Sequence, residues 1–186
     1  MVKSLRSATA VYAAGATGIL FSDEAFALSE RNGFWRRNRL LEMRRADTGE
    51  QGKILFYDTK QGYIKNGYLA ARWFLRDAKD NNAVTNIDTG LLNLLYGLQE
   101  WARIAGKPNP LITVNSAYRT PRRNASIEGA SRNSLHIQGR AVDITMRGIG
   151  LKQLADMAAH FNAGGIGLYG SFVHLDTGRI RNWRGR

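Results

Sequence analysis

Ser134-Leu-His-Ile-Gln-Gly-Arg-Ala-Val-Asp-Ile144 is the stretch on which the reading of this chain turns. His136 and Asp143 are seven residues apart, and an odd spacing cannot aim two side chains at one face of a single straight strand. The chain must bend between them, and Gly139 is the residue suited to the bend. Ala141 to Thr145 then reads as a strand. Downstream, Gly170-Ser-Phe-Val-His-Leu-Asp-Thr-Gly178 adds His174 with Asp176 two residues later, on the same face of a strand.

Outward from this stretch the elements alternate in kind. Leu40 to Arg45 and Ile54 to Tyr57 read as short strands about the turn-prone Asp47-Thr48-Gly49. Tyr68 to Arg76 reads as a helix. A longer helix follows Asp88, a good N-cap; Leu91, Leu92, Leu94, Leu95, Leu98, Trp101 and Ile104 give it a broad apolar face, and Gly106 stops it. Leu111 to Val114 reads as a strand after Pro108 and Pro110, and Leu151 to Phe161 as a helix. Ile166 to Tyr169, Phe172 to Leu175 and Ile180 to Asn182 read as strands. Gly164-Gly165-Ile166-Gly167 follows a helix and precedes a strand, the reverse of a phosphate-binding loop, and reads as a turn. Helices come early and short strands cluster late, so the expected class is α+β, a single domain with a largely antiparallel sheet and flanking helices.

The chain has 186 residues, 44% of them hydrophobic, enough for one well-buried core and too few for two ordinary domains. Lys3 and Arg6, an apolar stretch from Ala8 to Phe21, and Ala25-Phe26-Ala27 read as a signal peptide over residues 1–27, cleaved after Ala27. The apolar run is shorter than the roughly 20 residues of a bilayer span, so no membrane span is expected after cleavage. Residues 28–39 read as a loosely held basic arm, and 40–186 as the functional domain. The net charge is +12, with arginines gathered at 36, 37 and 39, at 44 and 45, at 119, 122 and 123, and at 179, 181, 184 and 186. Such a balance favours a polyanionic partner. For an exported chain the anionic cell envelope is nearer than nucleic acid, which is not expected.

His136, Asp143 and His174, two imidazoles and a carboxylate, suit zinc with a fourth position left for water; the chain has no cysteine to close a structural site. Zinc so held would acidify a bound water and polarise a carbonyl, the apparatus for hydrolysing an amide. Asp176, the acid nearest the proposed metal in sequence, is the candidate general base; its other reading is a carboxylate that orients a zinc-bound histidine or caps the Thr177-Gly178 turn. Arg119, at the end of a strand, offers a fixed cation to a substrate carbonyl or carboxylate, or makes a surface salt bridge. Tyr169 and Trp183 line a cleft for sugar or peptide, or are packing. His160 belongs to no motif.

Ser-Ala-Tyr-Arg-Thr-Pro (116–121), the 134–144 element, Gly-Gly-Ile-Gly-Leu-Tyr (164–169) and Phe-Val-His-Leu-Asp-Thr-Gly-Arg-Ile-Arg-Asn-Trp (172–183) resemble the YcbK/MepK-type murein endopeptidases. These are zinc D-Ala-D-Ala peptidases with the hedgehog/DD-peptidase fold, and the likeness runs from about Arg39 to Trp183. It implies zinc on His136, Asp143 and His174, an Arg119 that assists the substrate carbonyl, and a periplasmic enzyme cutting peptide cross-links between peptidoglycan stems. Dipeptidase and carboxypeptidase branches place an acidic base three residues before the last histidine, where this chain has Ser171. The alternatives that follow are a D,D- or L,D-carboxypeptidase of the same family, or a non-catalytic zinc-containing module that binds peptidoglycan.

Overall fold

The computed structural model describes residues 33–185; the expected signal peptide, and the arm up to residue 32, lie outside the described residues. In chain order the elements are β1 (Arg39–Arg45), β2 (Gln51–Asp58), β3 (Gly62–Tyr63), α1 (Lys65–Phe74), α2 (Thr89–Ile104), β4 (Ile112–Ser116), α3 (Pro121–Ala125), β5 (Ala141–Met146), α4 (Leu151–His160), β6 (Gly165–Leu168), β7 (Val173–Asp176) and β8 (Arg181–Arg184). The strands form one sheet in the order β3-β2-β1-β4-β5-β7-β6-β8. The α+β class holds. The sheet is mixed, with β1–β4 and β6–β8 parallel and the other pairings antiparallel.

Helix α2 is the centre of the core. Asp88 caps it by accepting from the Gly90 N–H, and Leu91, Leu92, Leu95, Leu98 and Trp101 are fully buried. Burial on that scale contributes roughly 1.5–3 kcal/mol per large side chain. Buried Gln99 clamps the helix to the sheet: its carboxamide accepts from the Glu42 N–H and donates to the Glu42 and Pro110 carbonyls. On β5, Val142, Ile144 and Met146 face this core while Asp143 points to the opposite side.

Four expectations need correction. The arm is fixed from Phe34 onward: Phe34 is fully buried, and Trp35 lies against Tyr96 and Phe161. The glycine-rich run is not a turn, because Gly165 and Gly167 lie within β6. The arginine clusters do not act as blocks. Arg36, Arg37 and Arg44 are exposed, whereas Arg45 is buried, donating to the Phe74 and Arg76 carbonyls and pairing with Asp47. Helix α1 starts and ends earlier than read from sequence, since its N-cap, Ile64, carries no capping side chain.

Candidate metal centre

Strand register builds the site as a row across the sheet. Ser116 on β4 faces Asp143 on β5, Asp143 faces His174 on β7, His174 faces Gly167 on β6, and Gly167 faces Trp183 on β8. Directly paired residues have neighbouring side chains, so Asp143 and His174 meet without any loop to bring them together. His136 arrives from outside the sheet. The 134–139 turns end at Gly139, whose φ of 66° is left-handed and whose missing Cβ leaves room for the Asn86 carbonyl oxygen, 2.1 Å from where it would stand. That bend is the one the odd spacing requires.

The three side chains converge on one point. His136 Nε2 and Asp143 Oδ1 are 3.3 Å apart, His174 Nδ1 and Asp143 Oδ1 2.9 Å, and the two imidazole nitrogens 3.2 Å. Tetrahedral zinc with ligand bonds near 2.1 Å spaces its donors about 3.4 Å apart, close to this triangle. The far side of each ring decides what faces inward. His136 Nδ1 lies 2.6 Å from the Ala117 carbonyl oxygen, which can only accept, so that nitrogen carries the hydrogen. His174 Nε2 lies 3.1 Å from Asp176 Oδ2 and donates in the same way. In the neutral rings the inward nitrogens are therefore bare lone pairs, set against each other and a carboxylate oxygen. Such an arrangement is relieved by a cation placed among the three donors or by a proton on His174.

Charge at the site is distributed accordingly. Burial pushes the His136 imidazole down, past the opposing pull of Asp143. Burial also works against charge on His174, but Asp143 and Asp176 outweigh it and hold that ring above its ordinary value. Burial likewise opposes ionisation of Asp143; the two adjoining histidines and the Arg119 charge nevertheless keep the carboxyl well below the usual range.

Asp176 does not fit the reading as a base. It is fully buried, and its carboxylate accepts from the backbone N–H groups of Gly165 and Gly178, both at 2.8 Å, from Arg181 Nη2 at 2.6 Å, and from His174 Nε2. No lone pair is left for a water, and the contact with His174 is on the nitrogen turned away from the centre. The contacts are those of an orienting carboxylate. Arg119 is likewise committed: Nη2 donates to Asp143 Oδ2 and Nε to Ser116 Oγ at 2.9 Å. This is no surface salt bridge, because it holds the second oxygen of a candidate ligand.

An open cleft of about 570 Å³ lies over the centre, lined by Arg119, the 127–135 loop, Tyr169, Phe172 and Trp183 as well as the three donors. Ser171 is exposed in the tight connection between β6 and β7. The expectation that Tyr169 and Trp183 line a cleft is met. Trp183 lies over Gly167, where a Cβ would come within 2.6 Å of its ring, and stands 5.2 Å from the His174 ring. His160 is remote, edge-on to Trp101. Sequence reasoning missed Ser116, the Ala117 carbonyl and Arg181. Ser116 and Ala117 sit in the quoted Ser-Ala-Tyr-Arg run, but a backbone carbonyl has no side-chain signature to read.

The fold and donor set define a class: an α+β domain with three converging donors that could hold a metal ion, open to a cleft. The family model described as peptidoglycan L,D-endopeptidase MepK matches residues 35–183, and the chain belongs to that family. It is 35% identical over 153 residues to peptidoglycan L,D-endopeptidase MepK of Escherichia coli strain K12, covering 79% of this chain and 81% of the relative. The probable peptidoglycan L,D-endopeptidase MepK of Haemophilus influenzae is 32% identical over 153 residues, covering 79% and 80%.

Proposed function

We propose that this protein is a zinc-dependent peptidoglycan endopeptidase of the periplasm, hydrolysing peptide cross-links between stems. The observation that carries the proposal is the convergence of His136 Nε2, His174 Nδ1 and Asp143 Oδ1 with tautomers set from behind by Ala117 and Asp176. Family membership and the relatives' names supply the substrate class. The signal-like residues 1–27 support export, and exposed Arg36, Arg37, Arg44, Arg179 and Arg184 suit an anionic wall.

Bound at these donors, zinc supplies Lewis acidity toward a water and the scissile carbonyl. The chain does the rest. Ala117 and Asp176 hold the imidazoles in their ligating tautomers, a supporting contact typical of catalytic zinc sites. Arg119 pins Asp143 through its second oxygen and presents positive charge at the cleft wall, where a carbonyl gaining negative charge is stabilised. The aromatic wall of Tyr169, Phe172 and Trp183 shields the centre from bulk water on one side.

The test is mass spectrometry of fragments released from purified peptidoglycan by the protein with zinc and with a chelator. Zinc-dependent conversion of cross-linked dimers to monomers is the expected result, and the fragment masses identify the bond. Loss of a terminal residue alone would mean a carboxypeptidase. No change with folded, zinc-loaded protein would leave a binding module.

A further inference from the structure

With Asp176 consumed and Ser171 outside the cleft lining, the cleft offers Arg119, already paired to Asp143, the neutral donors Ser131, Asn133 and Ser134 of the 127–135 loop, and Tyr169, whose hydroxyl is held by Trp183, itself against His174. Trp183 Nε1 lies 3.1 Å from the Tyr169 hydroxyl oxygen. An indole N–H can only donate, so the phenol oxygen is the acceptor in that bond and its own hydrogen is directed elsewhere. Among the described residues that hydrogen has no acceptor. The ring that carries it is clamped. Phe172 stacks on it, with centroids 4.5 Å apart and planes 21° from parallel, and Gly185 passes so close that a Cβ there would stand 1.9 Å from the ring. The indole that holds the hydroxyl is itself seated on Gly167 and against His174. The phenol also contributes to the electrostatic surroundings of Arg119, and both groups line the cleft over the centre.

We propose that the Tyr169 hydroxyl is a catalytic hydrogen-bond donor to the substrate carbonyl oxygen, strengthening as that oxygen gains negative charge. The assignment rests on the endopeptidase reading above. A donor fixed in advance by Trp183, Phe172 and Gly185 needs no reorganisation when charge develops, which is the condition under which such donors act most strongly. Trp183 is then a positioning residue, turning the hydroxyl hydrogen outward.

The experiment compares wild type, Tyr169→Phe and Trp183→Phe on a defined cross-linked muropeptide dimer, with zinc content and melting temperature measured on each. Tyr169→Phe keeps the stacked ring, so one equivalent of zinc and an unchanged melt are expected, with KM within about twofold. Its kcat should fall by about 100-fold or more, the usual cost of one oxyanion donor. Trp183→Phe frees the hydroxyl to rotate and should give a smaller loss of kcat, again with zinc retained. A Tyr169→Phe protein with kcat within about threefold of wild type, or one that raises KM alone, overturns the assignment while leaving the endopeptidase reading standing. Loss of zinc from Tyr169→Phe makes the residue structural and also overturns it. A wild-type protein that is folded, zinc-loaded and inactive overturns both.

Discussion

Replacing Asp176 by asparagine separates the two roles its position allows. Oδ1 accepts the Gly165 and Gly178 N–H groups and, at 3.2 Å, Arg181 Nη1, and Oδ2 accepts His174 Nε2 and Arg181 Nη2. An asparagine has one carbonyl oxygen and one NH2 group, so either amide orientation sets two donors against two donors. Keeping the oxygen on the backbone pair sacrifices the bonds from His174 Nε2 and Arg181 Nη2, one of them from a charged group. Two lost bonds of that kind cost about 3 kcal/mol, which lowers the melting temperature by about 10 °C in a domain of this size. His174 also loses the acceptor that fixes its tautomer, and loss of such a partner weakens zinc binding by about 10–100-fold. Competition with a chromophoric chelator measures the affinity, and dimer hydrolysis is followed across a zinc titration. An orienting Asp176 gives Asp176→Asn a weakened zinc site whose activity recovers substantially at saturating metal. Wild-type zinc affinity combined with a loss of kcat beyond about 100-fold that no zinc restores would refute the reasoning and make Asp176 the base.

Gly139→Ala meets both a left-handed φ and the Asn86 carbonyl at 2.1 Å; it should destabilise the fold by about 2–4 kcal/mol by chemical denaturation and weaken zinc binding through His136. Asp88→Ala removes the cap of α2 and should cost about 1 kcal/mol in the same assay with zinc affinity unchanged. Acid should strip the metal early. His174 is held above its ordinary 6.5 by Asp143 and Asp176 against the effect of burial, and a ligand must be deprotonated to bind. Zinc affinity should therefore begin to fall at a pH above 6.5, while both carboxylates are still ionised. An affinity flat from pH 8 to about 5 would contradict imidazole ligation.

Much of the framework was legible locally. Helix α2 announced itself through an Asp88 cap, a leucine stripe and Gly106, because a long amphipathic helix is encoded in near-neighbour chemistry. The odd spacing from His136 to Asp143 required a bend and Gly139 supplied it, and the even spacing from His174 to Asp176 put both on one face, where they are bonded. Short elements were harder: β3 has two residues and α3 five, too few to show a period even with the Thr120 cap and Pro121 of α3, and neither was foreseen. The glycines of β6 misled because a strand glycine and a turn glycine look alike in sequence; what distinguishes Gly167 is the Trp183 indole brought from β8, which would stand 2.6 Å from any Cβ there.

By itself the sequence determined the residue types that can hold a metal, the bend and the alternation that aim them, and a core sufficient for one α+β domain. Only the tertiary structure decided the register that sets Asp143 opposite His174 and His174 opposite Gly167, and with it which nitrogen of each imidazole faces inward. It also decided that Asp176 supports a histidine instead of reaching a water. Chemistry and periodicity are properties of neighbours along the chain; register, tautomer and the exhaustion of a carboxylate's lone pairs depend on groups that only folding brings within hydrogen-bond distance.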